Sequence, residues 1–204
     1  MMSDPGVRAF WLKHLHRWHW ISAGLCLVGM LLFAVTGITL NHAGSIEAKP
    51  QVTSREAQLP EALLKSLPAG EQVAPLPTEV RHWIADNVSV PIDERKVEWQ
   101  KREIYISLPR PGGDAWLTID RQKGDIEYEL TDRGWVSYLN DLHKGRNAGL
   151  MWSLFIDAFA VACLVFCITG LCLLQFHSAR RPATWPVVSL GIVIPVVLLL
   201  LFVH

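Results

Sequence analysis

The chain has 204 residues, of which 50% are hydrophobic and 19% are charged, and its formal net charge at pH 7 is zero. The charges are unevenly distributed: residues 43–148 hold 14 of the 19 Lys and Arg residues and 17 of the 19 Asp and Glu residues. Such a division is typical of a membrane protein that carries one soluble insert. It excludes a freely soluble enzyme, a nucleic-acid-binding protein with a basic domain, and a small secreted fold held by disulfides.

Three apolar segments are long enough to cross a bilayer as helices, which takes about 20 residues each. These segments are residues 18–40, 150–175 and 185–203. Residues 1–17 form an N-terminal segment before the first span. Residues 43–148 form an insert between the first and second spans, and residues 176–184 form a short connection between the second and third. A cleaved signal peptide is the competing interpretation of the first segment, whose apolar stretch exceeds the usual length of about 7–15 residues.

Basic residues in the short flanking segments predict the orientation. Arg8, Lys13 and Arg17 precede the first span, and Arg180 and Arg181 lie between the second and the third. Because Lys and Arg in short loops favour the cytoplasmic side, we expect both segments to be cytoplasmic. The insert and the C-terminus are then outside.

The insert has the pattern of a small α+β domain. Apolar positions at helical spacing predict helices at residues 60–67 and 78–87. The period then changes to two, which predicts strands at residues 96–100, 103–108, 116–120 and 125–130. The insert has no paired-carboxylate, nucleophile or phosphate-binding motif, so it is expected to be a binding or spacing module.

Six of the eight histidines flank the first two spans, and they are His14, His16, His19, His42, His143 and His177. If these spans pack antiparallel, His42 lies near His143 on the outer side, and His16 or His19 lies near His177 on the inner side. Two imidazoles can hold a haem iron axially, so each end is a candidate haem site, and the outer pair, His42 and His143, is preferred if there is only one. Histidines at helix ends also occur simply as interfacial side chains, and the pattern alone leaves both interpretations open.

Small residues accompany these histidines. Thr36 and Gly37 in the first span match Thr169 and Gly170 in the second, and each pair precedes a histidine. In antiparallel spans this similarity is a weak inverted repeat, and it leaves room for a flat ring or a close helix contact.

Asp157 is the one formally charged residue of the second span. It lies about 10 Å along the helix from Leu150, and an ionisable group at that depth is a functional candidate. It is expected to orient a ligand, to pair with Arg146 or Lys144, or to carry a proton; a protonated carboxyl in a helix interface is the alternative.

Several motifs resemble the PepSY-associated transmembrane family. They are LHRWHWISAG at the first span, TGITLNH at its end, LNDLHKGRNAG before the second span, ITGLCLL within it, and WLTIDRQKGDIEYEL in the insert. The resemblance covers about residues 12–175. It implies a PepSY-like insert in the periplasm of a bacterium and an inner-membrane location. Larger relatives include siderophore reductases that hold b-type haem with histidines of their membrane helices, which implies His16, His42 and His143 as ligands first and His19 and His177 next.

The leading hypothesis is therefore a haem b protein, with one or two haems, that carries electrons across the inner membrane. It would act as a ferric-siderophore or flavin-linked reductase component, taking electrons from a donor protein or quinol and passing them to a periplasmic acceptor; no residue is assigned a catalytic role. The chain has fewer spans than those relatives, so a homodimer or a partner subunit is expected. The alternative is a non-catalytic PepSY membrane module that binds or regulates a periplasmic protein, and a metal-transporter subunit is a third, weaker hypothesis.

Overall fold

The computed structural model describes residues 4–46, 49–68, 75–92 and 97–203. The chain divides into two compact units, one formed by Met1–Leu32 with Leu154–His204 and the other by Phe33–Ser153. Parts of the predicted N-terminal segment and insert, including Lys96 of the first predicted strand, lie outside the described residues.

The described chain contains long apolar helices, short helices and one sheet. In chain order the elements are α1 (Pro5–Asn41), β1 (Gln51–Gln58), α2 (Glu61–Lys65), α3 (Thr78–Val88), β2 (Val97–Trp99), β3 (Glu103–Ser107), β4 (Gly113–Asp120), β5 (Asp125–Asp132), α4 (Trp135–Lys144), α5 (Leu150–His177), a 3₁₀ turn (Ser178–Arg180) and α6 (Thr184–Phe202). Helices α1, α5 and α6 are each long and apolar enough to cross a membrane.

Helix α1 begins well before the apolar segment that predicted it. Asp4 caps its start, because the carboxylate accepts a hydrogen bond from the Gly6 amide at 2.8 Å and the Asp4 carbonyl accepts one from the Arg8 amide. Pro5 occupies the first helical position, where a missing N–H has no consequence. Residues 5–17, expected as a separate segment, therefore continue the helix, which is about 55 Å long.

The insert is an α+β region, as predicted, with a five-stranded antiparallel sheet in the order β1-β5-β4-β3-β2. Alternate residues of β3 and β4 point inward, and α3 contributes Val80, Ile84 and Val88 to the core. The largest side chains that are fully buried in this core are Ile84, Ile104, Ile106, Leu117, Ile119 and Ile126. This core of branched aliphatic side chains folds the domain, because burying each one contributes about 1.5–3 kcal/mol.

Strand β1 and helix α4 were not predicted. β1 has the polar sequence QVTSREAQ and is mostly exposed, so it lacks the alternation that marks a half-buried strand. Eight residue pairs with β5, from Gln51–Asp132 to Gln58–Asp125, hold it instead. Helix α4 begins after Gly134, whose amide donates to Asp132 Oδ1, and it ends at Gly145 in the left-handed conformation.

Close packing between α1 and α5 depends on a glycine. A Cβ at Gly29 would overlap the ring of Phe159, whereas a Cβ at Gly24 on the same helix would meet no atom within 4 Å. The ring of Phe159 on α5 therefore packs directly on Gly29 of α1, and a side chain at position 29 would have to displace it.

We expect Gly29→Leu to lower the midpoint of thermal unfolding of the detergent-solubilised protein, since overpacking costs about 1–3 kcal/mol. Gly24→Leu is the matched control and should leave the midpoint nearly unchanged. Equal midpoints for the two variants would contradict the α1–α5 contact.

The β4–β5 turn is held by the carboxylate of Asp120. Its Oδ1 atom accepts hydrogen bonds from the amides of Lys123 and Gln122, both at 2.7 Å. These backbone hydrogen bonds, that of Lys123 first, together with the nearby charges of Lys123 and Arg102, hold the pKa of Asp120 below its ordinary value.

A lowered pKa means that the Asp120 carboxylate stabilises the fold above its unfolded-state pKa, and that this contribution is lost as the pH falls through the folded-state pKa. Asp120→Ala should therefore lower the midpoint of thermal unfolding at about pH 7, and the difference from the parent should narrow toward about pH 3. If the difference in midpoint between the variant and the parent stayed constant over this pH range, the charge of Asp120 would not contribute to the stability of the fold.

Candidate functional site

In each of the five histidines predicted as ligands, Nδ1 lies within hydrogen-bond distance of an oxygen atom. The rings of His16, His42 and His177 are exposed, and each Nδ1 lies 2.8–3.0 Å from the carbonyl oxygen four residues earlier in its own helix. A carbonyl can only accept, so Nδ1 carries the proton, and in the neutral ring Nε2 has the lone pair. This is the tautomer that coordinates a metal through Nε2.

His19 of α1 lies in a cradle formed by α5. Its Nδ1 is 3.0 Å from the Thr169 hydroxyl and 3.2 Å from the Phe166 carbonyl oxygen. The ring stacks on Phe166 at 4.6 Å between centres and 16° between planes. A Cβ at Gly170 would lie 3.2 Å from Cε1 of the imidazole, so the glycine lets the ring approach the helix.

His143 of α4 lies in an equivalent cradle formed by the end of α1. Its Nδ1 is 2.6 Å from the Thr36 hydroxyl, its ring centre is 4.8 Å from that of Phe33, and a Cβ at Gly37 would lie 3.7 Å from its Cε1. A hydrogen bond of 2.8 Å from the Thr39 hydroxyl to Asn140 Oδ1 also joins the two helices.

The two cradles have one sequence pattern, Phe-x-x-Thr-Gly. It reads FAVTG at residues 33–37 and FCITG at residues 166–170. The Thr-Gly pairs were predicted as neighbours of a bound ring, but each holds a histidine from another helix rather than the histidine that follows it in the chain. Phe33 and Phe166 were not predicted; comparing the segments beyond the Thr-Gly pairs would have identified them.

A cleft of about 510 Å³ lies in the unit that contains α5 and α6. Its lining residues are His19, Gly170, Leu173, Leu174, His177, Arg180, Arg181 and Thr184. Imidazoles from α1 and α5 thus line one cavity; their role as the inner ligand pair stays a prediction. Among the described residues, no group of three or more His, Cys, Asp or Glu side chains is placed to hold a metal ion.

His16 approaches His177 from α1. The two ring centres are 6.3 Å apart and the rings are nearly perpendicular. Two imidazole nitrogens that share one metal ion at about 2 Å each place their ring centres roughly 6 Å apart. His14 lies instead against Phe10, with ring centres at 4.3 Å.

The structure does not bring together the predicted outer pair, His42 and His143. Helical geometry continues to His42, whose amide donates to the Ile38 carbonyl. Since successive helical residues are about 100° apart, His42 lies roughly 120–140° around α1 from Thr36 and Gly37, where His143 packs. Within the described parts of the chain, the rings of His42 and His143 are not in contact with each other.

Asp157 is exposed on α5. The ion pairs found among the described residues, Lys65–Glu61 and Arg133–Asp114, do not include it. The predicted partnership with Arg146 or Lys144 therefore stays a prediction.

The chain from residue 10 to residue 204 matches the model of a family described as PepSY_TM-like. No curated protein and no solved structure matches the chain.

Proposed function

This chain belongs to the PepSY_TM-like family, and from that premise we propose that it is a haem b-binding electron-transfer protein of a bacterial inner membrane. Its three long helices would span the membrane, and the α+β region would be a PepSY-like domain in the periplasm. The observation that carries the proposal is the cleft that His19 of α1 and His177 of α5 both line.

The residues of this cleft fit a haem. His19 and His177 each use Nδ1 toward a carbonyl or hydroxyl oxygen, so Nε2 of the neutral ring is available to iron. Leu173 and Leu174 supply apolar walls, and Gly170 leaves space. When bound, a haem with two imidazole ligands supplies reversible one-electron chemistry, at a potential set by its ligands and their burial.

The reductase role follows from the family resemblance and from what the sequence lacks. The sequence contains no nicotinamide or flavin fingerprint, so a separate donor protein or quinol would provide electrons. A periplasmic protein or a ferric siderophore would accept them, and the chain would be the electron-transfer component of a ferric or flavin-linked reductase.

The haem assignment is tested by spectra of the purified protein in detergent. We expect a reduced-minus-oxidised difference spectrum typical of bis-imidazole haem b, and its loss in His19→Ala and in His177→Ala. His14→Ala is the matched control, because His14 is on the same helix as His19 but contacts Phe10. A parent protein that has no haem absorption, even after haem is added, would refute the function.

His16 competes with His19 for the role of second ligand, because its ring is at metal-sharing distance from that of His177. The proposal assigns the role to His19, which lines the cleft. His16→Ala should therefore keep the bis-imidazole spectrum. Loss of the spectrum in His16→Ala but not in His19→Ala would transfer the assignment to His16.

The orientation is tested with single cysteines and a membrane-impermeant maleimide on intact cells. Lys123→Cys, in the β4–β5 turn, should be labelled once the reagent has crossed the outer membrane. Ala179→Cys, in the connection before α6, should be labelled only after the cells are lysed. The unsubstituted chain, whose four cysteines all lie in α1 and α5, gives the background. The reverse pattern would place the sheet in the cytoplasm.

One observation favours the alternative, a non-catalytic module that binds a periplasmic partner. Glu56 of β1 and Glu127 of β5 are directly opposite each other and both exposed. Like charges in this position destabilise a sheet, and a cationic partner would relieve the repulsion. A colourless protein that binds no added haem would leave this alternative as the better reading.

A further inference from the structure

We propose that the two Phe-x-x-Thr-Gly segments are two copies of one device that holds an imidazole, and that Thr169 and Thr36 are positioning residues for His19 and His143. Each threonine would keep Nδ1 protonated and leave Nε2 to the ligand. This inference deepens the proposed function. It rests on the proposed function only in naming iron as the ligand of Nε2. It makes His143 the outer counterpart of His19.

The first argument is the direction of the hydrogen bonds. The Thr169 hydroxyl donates to the Val165 carbonyl at 2.6 Å, and the Thr36 hydroxyl donates to the Phe33 carbonyl at 3.2 Å. A hydroxyl has one proton, so a threonine oxygen that donates to a carbonyl accepts from the histidine, and for His19 the Phe166 carbonyl, which can only accept, requires the same direction. Both contacts are therefore Nδ1–H donations to the threonine.

The second argument is that the phenylalanine and the glycine, the other two residues that both copies of the pattern share, contact the imidazole ring. The phenylalanine three residues before each threonine lies beside the imidazole, at 4.6 Å from His19 and 4.8 Å from His143. The following glycine lies under Cε1 in both cradles: a Cβ there would lie 3.2 Å from the ring of His19, which is a tight approach, and 3.7 Å from the ring of His143, which is an ordinary van der Waals contact. Ring position and tautomer are thus set together.

The third argument is that the pattern occurs twice in different contexts. The copy in α5 receives a histidine from α1, whereas the copy in α1 receives a histidine from α4. The neighbouring residues differ, so general packing does not explain the same three contacts. Metal-binding histidines commonly donate their second ring nitrogen in this way, which orients the ring and raises its basicity.

The experiment is nitrogen NMR of the full-length, histidine-labelled protein without haem, which distinguishes the two neutral tautomers. In the parent, His19 and His143 should both have the proton on Nδ1. Thr36→Val should lower the ratio of the Nδ1–H to the Nε2–H form of His143 roughly two- to tenfold, the effect of losing one neutral hydrogen bond. Thr169→Val should change His19 less, because the Phe166 carbonyl remains as a second acceptor at 3.2 Å.

Matched variants separate a positioning role from a structural one. Thr36→Ser and Thr169→Ser retain the hydroxyl and should retain the parent tautomers. Thr39→Val removes the hydrogen bond to Asn140 and loosens the same helix pair without touching the imidazole, so it should leave His143 unchanged. If the parent protein had His19 and His143 in the Nε2–H tautomer, that result alone would overturn the proposal. An equal shift in Thr39→Val, or unchanged ratios in both valine variants, would also overturn it.

A second measurement connects the device to haem. In the haem-bound protein, Thr169→Val should raise the midpoint reduction potential, because an imidazole that loses its Nδ1 hydrogen bond donates less electron density to the iron, and Thr169→Ser should restore it. An unchanged potential would overturn the role of Thr169 toward iron. A parent protein that binds no haem would refute the proposed function, while the tautomer result would still decide whether the two cradles work as one device.

Discussion

The contact on which the arrangement of the candidate site depends is the hydrogen bond from an imidazole Nδ1 to a threonine hydroxyl on another helix. It occurs between His19 and Thr169 and between His143 and Thr36. In an apolar environment an unpaired polar group costs several kcal/mol, so these polar side chains select each other strongly. One bond therefore fixes the register of two helices and the tautomer of the ring at the same time.

The soluble region and the long helices are held by different forces. The sheet domain has a core of branched aliphatic side chains that are fully excluded from solvent. The apolar helices bury few of their own residues: Ser22 and Cys26 in α1, Thr169 in α5 and none in the described part of α6. Apolar surface of this extent is unfavourable in water at about 25 cal/mol per Å². It supports the proposal that lipid, with or without a second subunit, surrounds these helices.

The proposed haem cleft combines apolar, imidazole and cationic side chains in one cavity. Gly170 leaves space, Leu173 and Leu174 supply apolar walls, and the imidazoles of His19 and His177 line the same cavity. Arg180 and Arg181 at the same cleft add positive charge beside the apolar walls. A ligand with an apolar body, a metal centre and acidic groups matches this set better than a purely polar solute does.

The failures of sequence reasoning have physical causes in particular elements. β1 was missed because Gln51–Gln58 has no apolar alternation, and it is a strand only because β5 offers an edge with free backbone groups. Helix α4 was missed because its ends depend on Gly134 and Gly145, whose positive φ angles are visible only in the folded chain. The pairing of His42 with His143 as ligands stays a prediction, which took account of their common end of the helices but not of the rotation between His42 and Gly37 around α1.

Composition and periodicity determined the three long apolar helices and the α+β character of the insert, because these depend on local patterns of burial, and short motifs carried the resemblance to the family. The histidines, the two Thr-Gly pairs and the similarity between those two pairs were also visible in the sequence. Only the tertiary structure decided which histidine meets which threonine. That choice depends on the facing sides of the helices and on their register, and neither is encoded by distance along the chain.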